Sequence, residues 1–335
     1  MRVTNNMNNE NIKSFYEQTD VMGEVYQPHK TLRNTQVASF MRCPQINSFN
    51  AADIGIIGIP YDGGLTFQTG ARFGPREVRN QSCMMRAINV STNVEPYELA
   101  RVGDLGDILL KDIFTHDNAI EEIRQYYQQL AESNIMPLSV GGDHSVTYPI
   151  LKGLQKRFEQ PIALIHFDSH TDTWGEFSGS KFHHGAPFRL ACDEGLIDPT
   201  KTLQIGIRGG QNIWDGLNYS RDKGMHVITI EDFEDMGWRE VCVKIRQVVG
   251  DSPVYLTFDI DGLDPAYAPG TGTAEFGGLT VHQGLEIVRG CRGLNVIGGD
   301  LVEVSPPYDS TGNTALLGAT LIYEMLCVLP EVKCR

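Results

Sequence analysis

The sequence predicts an α/β fold in which one parallel β-sheet is covered by helices on both faces. Three observations indicate this fold class. Short apolar runs recur from residue 53 onward, and each ends in Gly, Asp or Pro. Stretches with apolar residues at helical spacing lie between most of these runs. The runs are apolar throughout rather than alternating, which is the pattern of strands buried on both faces.

Eight of the apolar runs are interpreted as strands. In chain order they are DIGIIGIPYDGG, ARVGDLGD, IMPLSVGGDH, IALIHFDSH, TLQIGIRGG, MHVITI, PVYLTFDID and LNVIGGDLVEVSP. The clearest helices between them are NAIEEIRQYYQQLAES, WREVCVKIRQVVG and TVHQGLEIVRGC. About eight parallel strands are compatible with a closed barrel or with an open three-layer sheet. Both architectures place functional residues at the carboxyl ends of the strands.

The chain divides into two parts. Residues 1–52 are polar and weakly periodic, and we expect an N-terminal arm that is loosely ordered or packed on a neighbouring subunit. Residues 53–335 carry all eight predicted strands without an internal repeat, a low-complexity tract or a linker. We therefore predict a single catalytic domain over residues 53–335.

Composition excludes several classes of function. The formal net charge is −14, and such an acidic chain is a poor partner for nucleic acid. No apolar run reaches the roughly 18 residues that span a bilayer, which predicts no membrane partner. The N-terminus has no apolar signal-peptide core. The seven cysteines are scattered and form no CxxC pair, which is typical of reduced thiols. These features predict a cytoplasmic protein.

Three clusters of polar residues follow apolar runs, and each is placed at the carboxyl end of a predicted strand. They are Gly141–His144, His166–Asp172 and Asp259–Asp261. Residues two apart in an extended segment project to the same side, so the D-x-H-x-D and D-x-D patterns each converge. The resulting set of two imidazoles and four carboxylates comprises His144, Asp168, His170, Asp172, Asp259 and Asp261.

This residue set predicts a binuclear metal centre. Four crowded carboxylates repel each other unless cations neutralise them. Oxygen-rich ligation with a few imidazoles suits Mn²⁺, with Ni²⁺ as the alternative. Two ions held roughly 3.5–4 Å apart share one water and convert it to hydroxide near neutral pH. A single Asp after a strand is more often a cap or turn residue, but five of the nine histidines lie between residues 144 and 184.

At these residues the sequence resembles the ureohydrolases, the family of arginase, agmatinase and the guanidino-acid hydrolases. The resemblance runs from about residue 53 to the end. It is carried by GGDHS, HFDSHTDT, His184–Gly185, FDIDGLDPAYAPGTGT and EVSPPYD. Segments such as GARFGPREVRNQS and HGAPFR resemble the agmatinase and guanidino-acid branch most closely.

The resemblance implies an open eight-stranded parallel sheet, a homo-oligomer that is a trimer or hexamer, and two Mn²⁺ ions per subunit. It implies that Asp168 and Asp259 bridge the two ions. The first ion would be held by His144, Asp168, Asp172 and Asp259. The second would be held by Asp168, His170, Asp259 and Asp261.

The resemblance also implies catalytic roles. His184 matches the position of a proton shuttle, a role that suits an imidazole because its pKa lies near working pH. Its neighbour His183 is expected to have a local structural role. Glu303 matches the carboxylate that binds the guanidinium through paired N–H donors. Asp172 is expected to hold the proton of the hydroxide in addition to binding metal.

Two loops are expected to form the substrate pocket. The loop of Thr271, Gly272 and Thr273 lacks the features of a Walker motif and is interpreted as pocket-shaping. Trp174 follows the second metal cluster and is expected to wall the pocket. In the same loop, Glu176 would suit the distal ammonium of agmatine, and Lys181 would suit the carboxylate of a guanidino acid.

The substrate stays open at this point. Agmatine, cleaved to putrescine and urea, is the first expectation. 4-Guanidinobutanoate or 3-guanidinopropanoate is the alternative, and so is guanidine, a substituted guanidine or a biguanide. The last group is suggested by departures from the usual family wording, which are Ser169, Ala274 and the segment from Gly64 to Gln68.

Two other classes of function are weighed. The chain could be a non-catalytic scaffold subunit that assembles with a paralogous subunit, but such members usually lose metal ligands and all six are present here. It could also be a metal-dependent deacetylase, which the two-metal ligand set and Glu303 argue against.

Overall fold

An open eight-stranded parallel β-sheet forms the centre of the protein. The computed structural model describes residues 6–211 and 214–333. The strands are β1 (Ile54–Gly58), β2 (Val102–Asp107), β3 (Met136–Val140), β4 (Ile162–Phe167), β5 (Ile197–Ile207), β6 (His226–Thr229), β7 (Val254–Asp259) and β8 (Val296–Val302). Their order is β2-β1-β3-β8-β7-β4-β5-β6, and every neighbouring pair is parallel. The eight predicted strands are confirmed, and the closed barrel is excluded because β2 and β6 are edges.

Helices cover both faces of the sheet. In the described part of the chain they are α1 (Asn6–Phe15), α2 (Gly74–Gln81), α3 (Pro96–Leu99), α4 (His116–Ala131), α5 (Thr147–Leu154), α6 (Pro187–Asp193), α7 (Asp215–Asp222), α8 (Ile230–Val249), α9 (Val281–Gly290) and α10 (Asn313–Lys333). None of these described helices is long and apolar enough to cross a membrane.

Two hydrophobic cores, one on each face of the sheet, produce the three layers. One core joins the sheet to α8, α9 and α10, and the other joins it to α4, α5 and α6. Strand β7 shows why, since Leu256 and Phe258 enter the first core and Tyr255 enters the second. Successive strand residues point to opposite faces, so a strand between two helical layers must be apolar throughout.

Helices α8 and α9 both begin at capping boxes. Thr229 and Asp232 exchange side-chain and backbone hydrogen bonds at the start of α8, and Thr280 and Gln283 do the same at the start of α9. Each box satisfies N–H groups that have no partner within the helix.

Four candidate site residues lie at the carboxyl ends of neighbouring strands. His144 lies four residues after the end of β3, and Glu303 directly follows β8. Asp259 is the last residue of β7, and Asp168 directly follows β4. Strands β3, β8, β7 and β4 are adjacent in the sheet. The topology therefore gathers these side chains outside the carboxyl ends of the central strands, where open α/β sheets bind ligands.

Much of the N-terminal arm packs on its own domain. Phe40 and Met41 are fully buried in the core that contains α8, α9 and α10. The Tyr16 hydroxyl accepts a hydrogen bond from the backbone N–H of Val102 at 2.8 Å, and the Phe40 N–H donates to Asp104 at 2.8 Å. The expectation of a loosely ordered arm is wrong for these residues, and packing of the arm on a neighbouring subunit stays a prediction. Their isolated apolar side chains fill gaps beside edge strand β2 without producing a periodic pattern. The boundary at residue 52 stays a prediction.

Candidate binuclear metal centre

The first group of converging side chains surrounds one imidazole nitrogen. Nδ1 of His144 lies 3.2 Å from Asp168 Oδ2, 2.9 Å from Asp172 Oδ2 and 3.3 Å from Asp259 Oδ2. All four residues are buried. The structure therefore brings together the four residues predicted to hold the first metal ion.

The second group is built around His170. Its Nδ1 lies 3.4 Å from Asp168 Oδ1 and 3.3 Å from Asp261 Oδ2. Asp168 faces both groups, one carboxylate oxygen to each, as a bridging ligand would. Asp259 turns its other oxygen, Oδ1, toward the backbone N–H of Asp261 at 2.8 Å. The bridging role of Asp259 stays a prediction.

The side chains converge for a different reason from the one expected. The extended segment assumed for D-x-H-x-D ends with β4 at Phe167, and Asp172 has a left-handed backbone with φ of 48°. Asp261 likewise lies in a 3₁₀ turn that spans Ile260–Gly262, directly after β7. Alternation along a strand is therefore the wrong explanation. Tight turns after the strands bend the carboxylates back to a common point.

Burial and close contacts shift the pKa values of several groups in the cluster. Burial, followed by repulsion from Asp261 and Asp168, raises the pKa of Asp259 well above its ordinary range. Burial disfavours the charged form of His144, but its carboxylate contacts outweigh this and raise the pKa of His144 well above its ordinary value. The neighbouring imidazoles of His166, His144 and His170 outweigh burial at Asp168 and lower the pKa of that carboxyl well below its ordinary range. A raised pKa at both Asp259 and His144 indicates that this acidic cluster attracts positive charge, which a bound cation would supply.

The hydrogen bonds of His144 test whether the residues fit a metal ion. Its Nε2 lies 2.9 Å from the Thr257 hydroxyl, which also hydrogen-bonds Asp300. Because the Thr257 hydroxyl donates its proton to Asp300, it accepts a hydrogen bond from Nε2–H of His144. The other ring nitrogen, Nδ1, then carries a lone pair that faces the carboxylates. Nδ1 has no hydrogen-bond partner of acceptable geometry within the described residues. A divalent ion fits there, because a metal-ligating His donates its other ring nitrogen to a fixed partner.

One buried residue was missed by the sequence analysis. His166 places its Nε2 2.6 Å from Asp168 Oδ2, and it is fully buried. Together with His144, Asp168 and Asp172 it forms a group whose atoms are close enough to hold one ion. The signal was present, since His166 lies two residues before Asp168 in the same cluster. Its hydrogen bond to Asp168 makes it a support for that carboxylate.

Beside the metal cluster, the partly buried His184 pairs with the buried Glu303. Nδ1 of His184 lies 3.4 Å from Glu303 Oε1, and its Nε2 lies 2.8 Å from the Thr66 hydroxyl. Burial opposes the charged form of His184, but the hydrogen bond and charge of Glu303 outweigh it and raise the pKa of His184. The backbone N–H of His144 donates to Glu303 Oε1 at 3.0 Å. The other oxygen, Oε2, is buried without a hydrogen-bond partner in the described residues.

Asp143 lies behind this pair. Burial and the nearby charge of Glu303 raise the pKa of Asp143 to about 7. Its carboxylate accepts from the backbone N–H of Gly64 at 2.7 Å and from Ser145. Gly64 in turn accepts from the backbone N–H of His184 at 2.9 Å. Asp143 thus fixes the loop that carries the candidate proton shuttle.

The loop of Thr271, Gly272 and Thr273 does border the cluster. The Thr273 hydroxyl lies 3.3 Å from Asp261 Oδ2. A Cβ at Gly272 would lie 3.9 Å from Glu303 Oε2, so this loop passes within van der Waals distance of that oxygen. Thr271 is buried beside it. The pocket-shaping interpretation of this loop stays a prediction that its position supports.

The other predicted pocket residues are less closely placed. Trp174 packs against Gly216 and donates its backbone N–H to Gly185 at 2.8 Å, next to His184. Glu176 is exposed, and the Lys181 ammonium lies 4.9 Å above the Phe182 ring. In the described residues neither of these two charged side chains contacts the metal cluster.

Ser169 gives the second group an additional support. Its hydroxyl donates to Asp261 Oδ1 at 2.8 Å, and the side chain is fully buried. Replacing Ser169 with Ala should weaken binding of the second metal ion about tenfold, because outer partners of metal ligands contribute roughly 10–100-fold. Competition with a metal-chelating dye measures this. Ser145→Ala, which removes a buried hydroxyl that contacts Asp143 instead, should leave that affinity unchanged, and equal losses in both variants would contradict the assignment.

Comparisons with known proteins agree with this geometry. The family model described as Arginase family matches residues 52–327. The mitochondrial guanidino acid hydrolase of Homo sapiens is 47% identical, over 91% of this chain and 86% of that protein. The mitochondrial agmatinase of Gallus gallus is 47% identical, over 90% of this chain and 88% of that protein. The structure of proclavaminate amidino hydrolase from Streptomyces clavuligerus has a TM-score of 0.87 at 38% identity, covering 90% of this chain and 100% of that chain. The resemblance drawn from the motifs is confirmed: the chain belongs to the arginase family of metal-dependent amidinohydrolases, in the branch that contains agmatinases and guanidino-acid hydrolases.

Proposed function

We propose that this protein hydrolyses a small guanidino compound to urea and an amine, with two metal ions per subunit. The observation that carries the proposal is a buried carboxylate, Glu303, beside a cluster of six candidate metal ligands. Its Oε2 has no hydrogen-bond partner among the residues that the structure describes. Mn²⁺ is proposed ahead of Ni²⁺ because the candidate ligands are four carboxylates and two imidazoles. When bound, the two ions would supply a Lewis acid and a water molecule of lowered pKa.

Glu303 binds and orients the guanidinium in this proposal. A carboxylate and a guanidinium form two parallel hydrogen bonds, which fixes the plane of the reacting carbon. The His144 N–H holds Oε1 in place, and Oε2 is left to accept from the substrate. Burial of Glu303 excludes water and strengthens this charge pairing.

His184 carries the proton that the leaving amine needs. Contact with Glu303 raises its pKa, which favours the imidazolium form that can donate a proton, and its Nδ1 lies on the side of Glu303. The Thr66 hydroxyl fixes the ring through Nε2. Asp172, which approaches the cluster through Oδ2, is the acceptor proposed for the proton lost by the attacking water.

Agmatine is the substrate that we propose first. Glu176 makes no ion pair in the described part of the chain and is free to meet the distal ammonium of agmatine. The only cation on the same loop, Lys181, lies over an aromatic ring. A guanidino acid is the second candidate, because the human relative is named for that substrate class and Lys181 is exposed. Guanidine and substituted guanidines or biguanides stay alternatives, because exposed Phe67 follows Thr66 at the pocket.

A substrate panel tests the tail assignment. Urea release should be measured as kcat/KM for agmatine, 4-guanidinobutanoate, 3-guanidinopropanoate, arginine, guanidine and a biguanide. We expect the highest value for agmatine, and we expect Glu176→Gln to raise KM for agmatine up to about fivefold, as loss of one exposed charge contact costs at most about 1 kcal/mol. Lys181→Met is the matched control and should leave agmatine unaffected. A preference for either guanidino acid that Lys181→Met removes would assign the second candidate instead.

We also propose that the chain forms a cytoplasmic homo-oligomer, either a trimer or a hexamer. The convergence of all six candidate ligands in one chain supports a catalytic subunit over a non-catalytic scaffold that assembles with a paralogous subunit. Light scattering coupled to size-exclusion chromatography measures the assembly directly.

A further inference from the structure

Arg208 lies directly behind the second group of candidate metal ligands. It follows the last residue of β5 and is 7% exposed. Its guanidinium donates to the carbonyl oxygens of Asp261 at 2.7 Å, Gly262 at 3.3 Å and Leu263 at 3.3 Å. These three residues form the turn that presents the Asp261 carboxylate.

The same guanidinium also contacts the segment that follows the loop of Thr271 to Thr273, called the substrate loop below. It donates to the carbonyl oxygen of Glu275 through Nη2 at 2.7 Å and through Nε at 3.2 Å. Glu275 lies two residues after Thr273, whose hydroxyl contacts Asp261. One side chain therefore joins the turn of a candidate metal ligand to the loop that borders Glu303.

The backbone of Arg208 adds a third segment. Its N–H donates to the carbonyl oxygen of Ser169 at 2.9 Å, and the Ser169 hydroxyl donates to Asp261 Oδ1. Ser169 lies between Asp168 and His170. All three segments that surround the second metal group are thus hydrogen-bonded to this one residue.

The acceptors of Arg208 explain why arginine is needed there. Within the described residues, its side chain donates only to backbone carbonyl oxygens and pairs with no carboxylate. Burying a guanidinium is costly unless its donors are satisfied. Its five donors form a planar fork that can reach several carbonyls, whereas a lysine ammonium offers three donors at one point.

We propose that Arg208 is a positioning residue that holds the second metal site and the substrate loop in one fixed arrangement. It touches neither the substrate nor the metal ions. It acts through the turn after β7, which aims Asp261, and through Glu275, which fixes the loop of Thr271 to Thr273. The proposal rests on the metal centre of the proposed function.

A second arginine in the molecule provides a matched control. In the described part of the chain, the side chain of Arg157 also donates only to backbone carbonyls, those of Leu130 at 2.7 Å, Ala131 at 3.0 Å, Ser133 at 2.6 Å and Ile135 at 2.9 Å. It anchors the segment between the end of α4 and the start of β3. This segment lies at the amino-terminal end of the strands, opposite the metal groups. Its acceptors are of the same kind, but it is only partly buried and none of its hydrogen bonds in the described residues reaches the metal groups.

The experiment compares Arg208→Lys with Arg157→Lys. For each protein, metal affinity is measured by competition with a chelating dye, using Mn²⁺ alone, and the melting temperature is measured after chelation. We expect Arg208→Lys to weaken binding of the second ion by about 10–100-fold and to raise KM at saturating Mn²⁺. Arg157→Lys should lower the melting temperature while both metal affinities and KM keep their wild-type values.

A second variant tests the same contact while Arg208 itself is kept. A Cβ at Gly278 would lie 2.5 Å from Nη2 of Arg208 and 2.6 Å from the backbone nitrogen of Asp264. Gly278→Ala should therefore shift both the guanidinium and this turn, and weaken binding of the second ion in the same direction. Wild-type affinity for both ions in Arg208→Lys, or equal losses in the Arg208 and Arg157 variants, would overturn the proposal. Failure of the proposed function would give a different result. The wild-type protein would then bind two ions but release no urea.

Discussion

Replacing Asp168 with Asn should remove both metal ions and reduce urea release by at least about 10³-fold. Asp168 is the residue whose two carboxylate oxygens face the two candidate sites, toward His144 and toward His170. An amide has the same shape but no charge, and it presents an N–H₂ group to one of the two sites. Since even an outer partner of a metal ligand contributes roughly 10–100-fold, loss of a shared ligand should exceed that. Elemental analysis of metal per chain and a urea assay measure the two effects.

Asp104→Asn is the control for this substitution. Asp104 is also a fully buried carboxylate, paired with Arg79 at 3.0 Å and remote from the metal groups. Its replacement should lower the melting temperature but keep two metal ions per chain. If Asp168→Asn retained two ions and normal turnover, Asp168 would not be a shared ligand.

Replacing Glu303 with Gln should lower kcat/KM by roughly two to four orders of magnitude while the metal content stays at two ions per chain. Breaking a buried ion pair by removing one partner costs about 3–5 kcal/mol, and about 1.4 kcal/mol corresponds to a tenfold change. The glutamine still accepts from the His144 N–H but offers the guanidinium no charge. Because Glu303 raises the pKa of His184, this pKa should also fall in the variant, which an NMR titration of the imidazole measures.

Glu324→Gln distinguishes this role from a structural one. Glu324 is 3% exposed and pairs with Arg289 at 2.6 Å, in α10 and far from the cluster. Its replacement should cost stability without changing kcat/KM. If Glu303→Gln lost metal together with activity, Glu303 would act on the metal centre rather than on the guanidinium.

The fold was largely predictable from the sequence because both faces of the sheet are buried. Residues that alternate between two cores must all be apolar, so every strand of the parallel sheet stands out as an unbroken run. Strand order and the choice between barrel and open sheet were less accessible. They depend on which strands pair across long crossovers, and local patterns carry no information about that choice.

The candidate metal residues were found because their chemical type is costly to bury without a cation. Their geometry was not, since the extended alternation assumed for Asp168, His170 and Asp172 gives way to a turn with a left-handed residue. Supports such as His166 and Arg208 were missed for a related reason. Their importance depends on acceptors that are distant in sequence, such as the Glu275 carbonyl, 67 residues after Arg208.

The arm shows a third limit of sequence patterns. Phe40 and Met41 are fully buried in the hydrophobic core, and a segment that supplies only such isolated apolar residues has no period to detect. The substrate tail is limited in the same way, because Glu176 and Lys181 lie on one loop and carry opposite charges.

The central claim is that two metal ions held by these residues are required to release urea from a guanidino substrate. The most direct measurement removes all metal by chelation, verifies the loss by elemental analysis, and returns Mn²⁺ in measured steps while urea release from agmatine and the guanidino acids is followed. Activity should be absent without metal, and it should rise to its maximum at two equivalents per chain. Undiminished urea release from the metal-free protein, or full activity at one equivalent, would contradict the account.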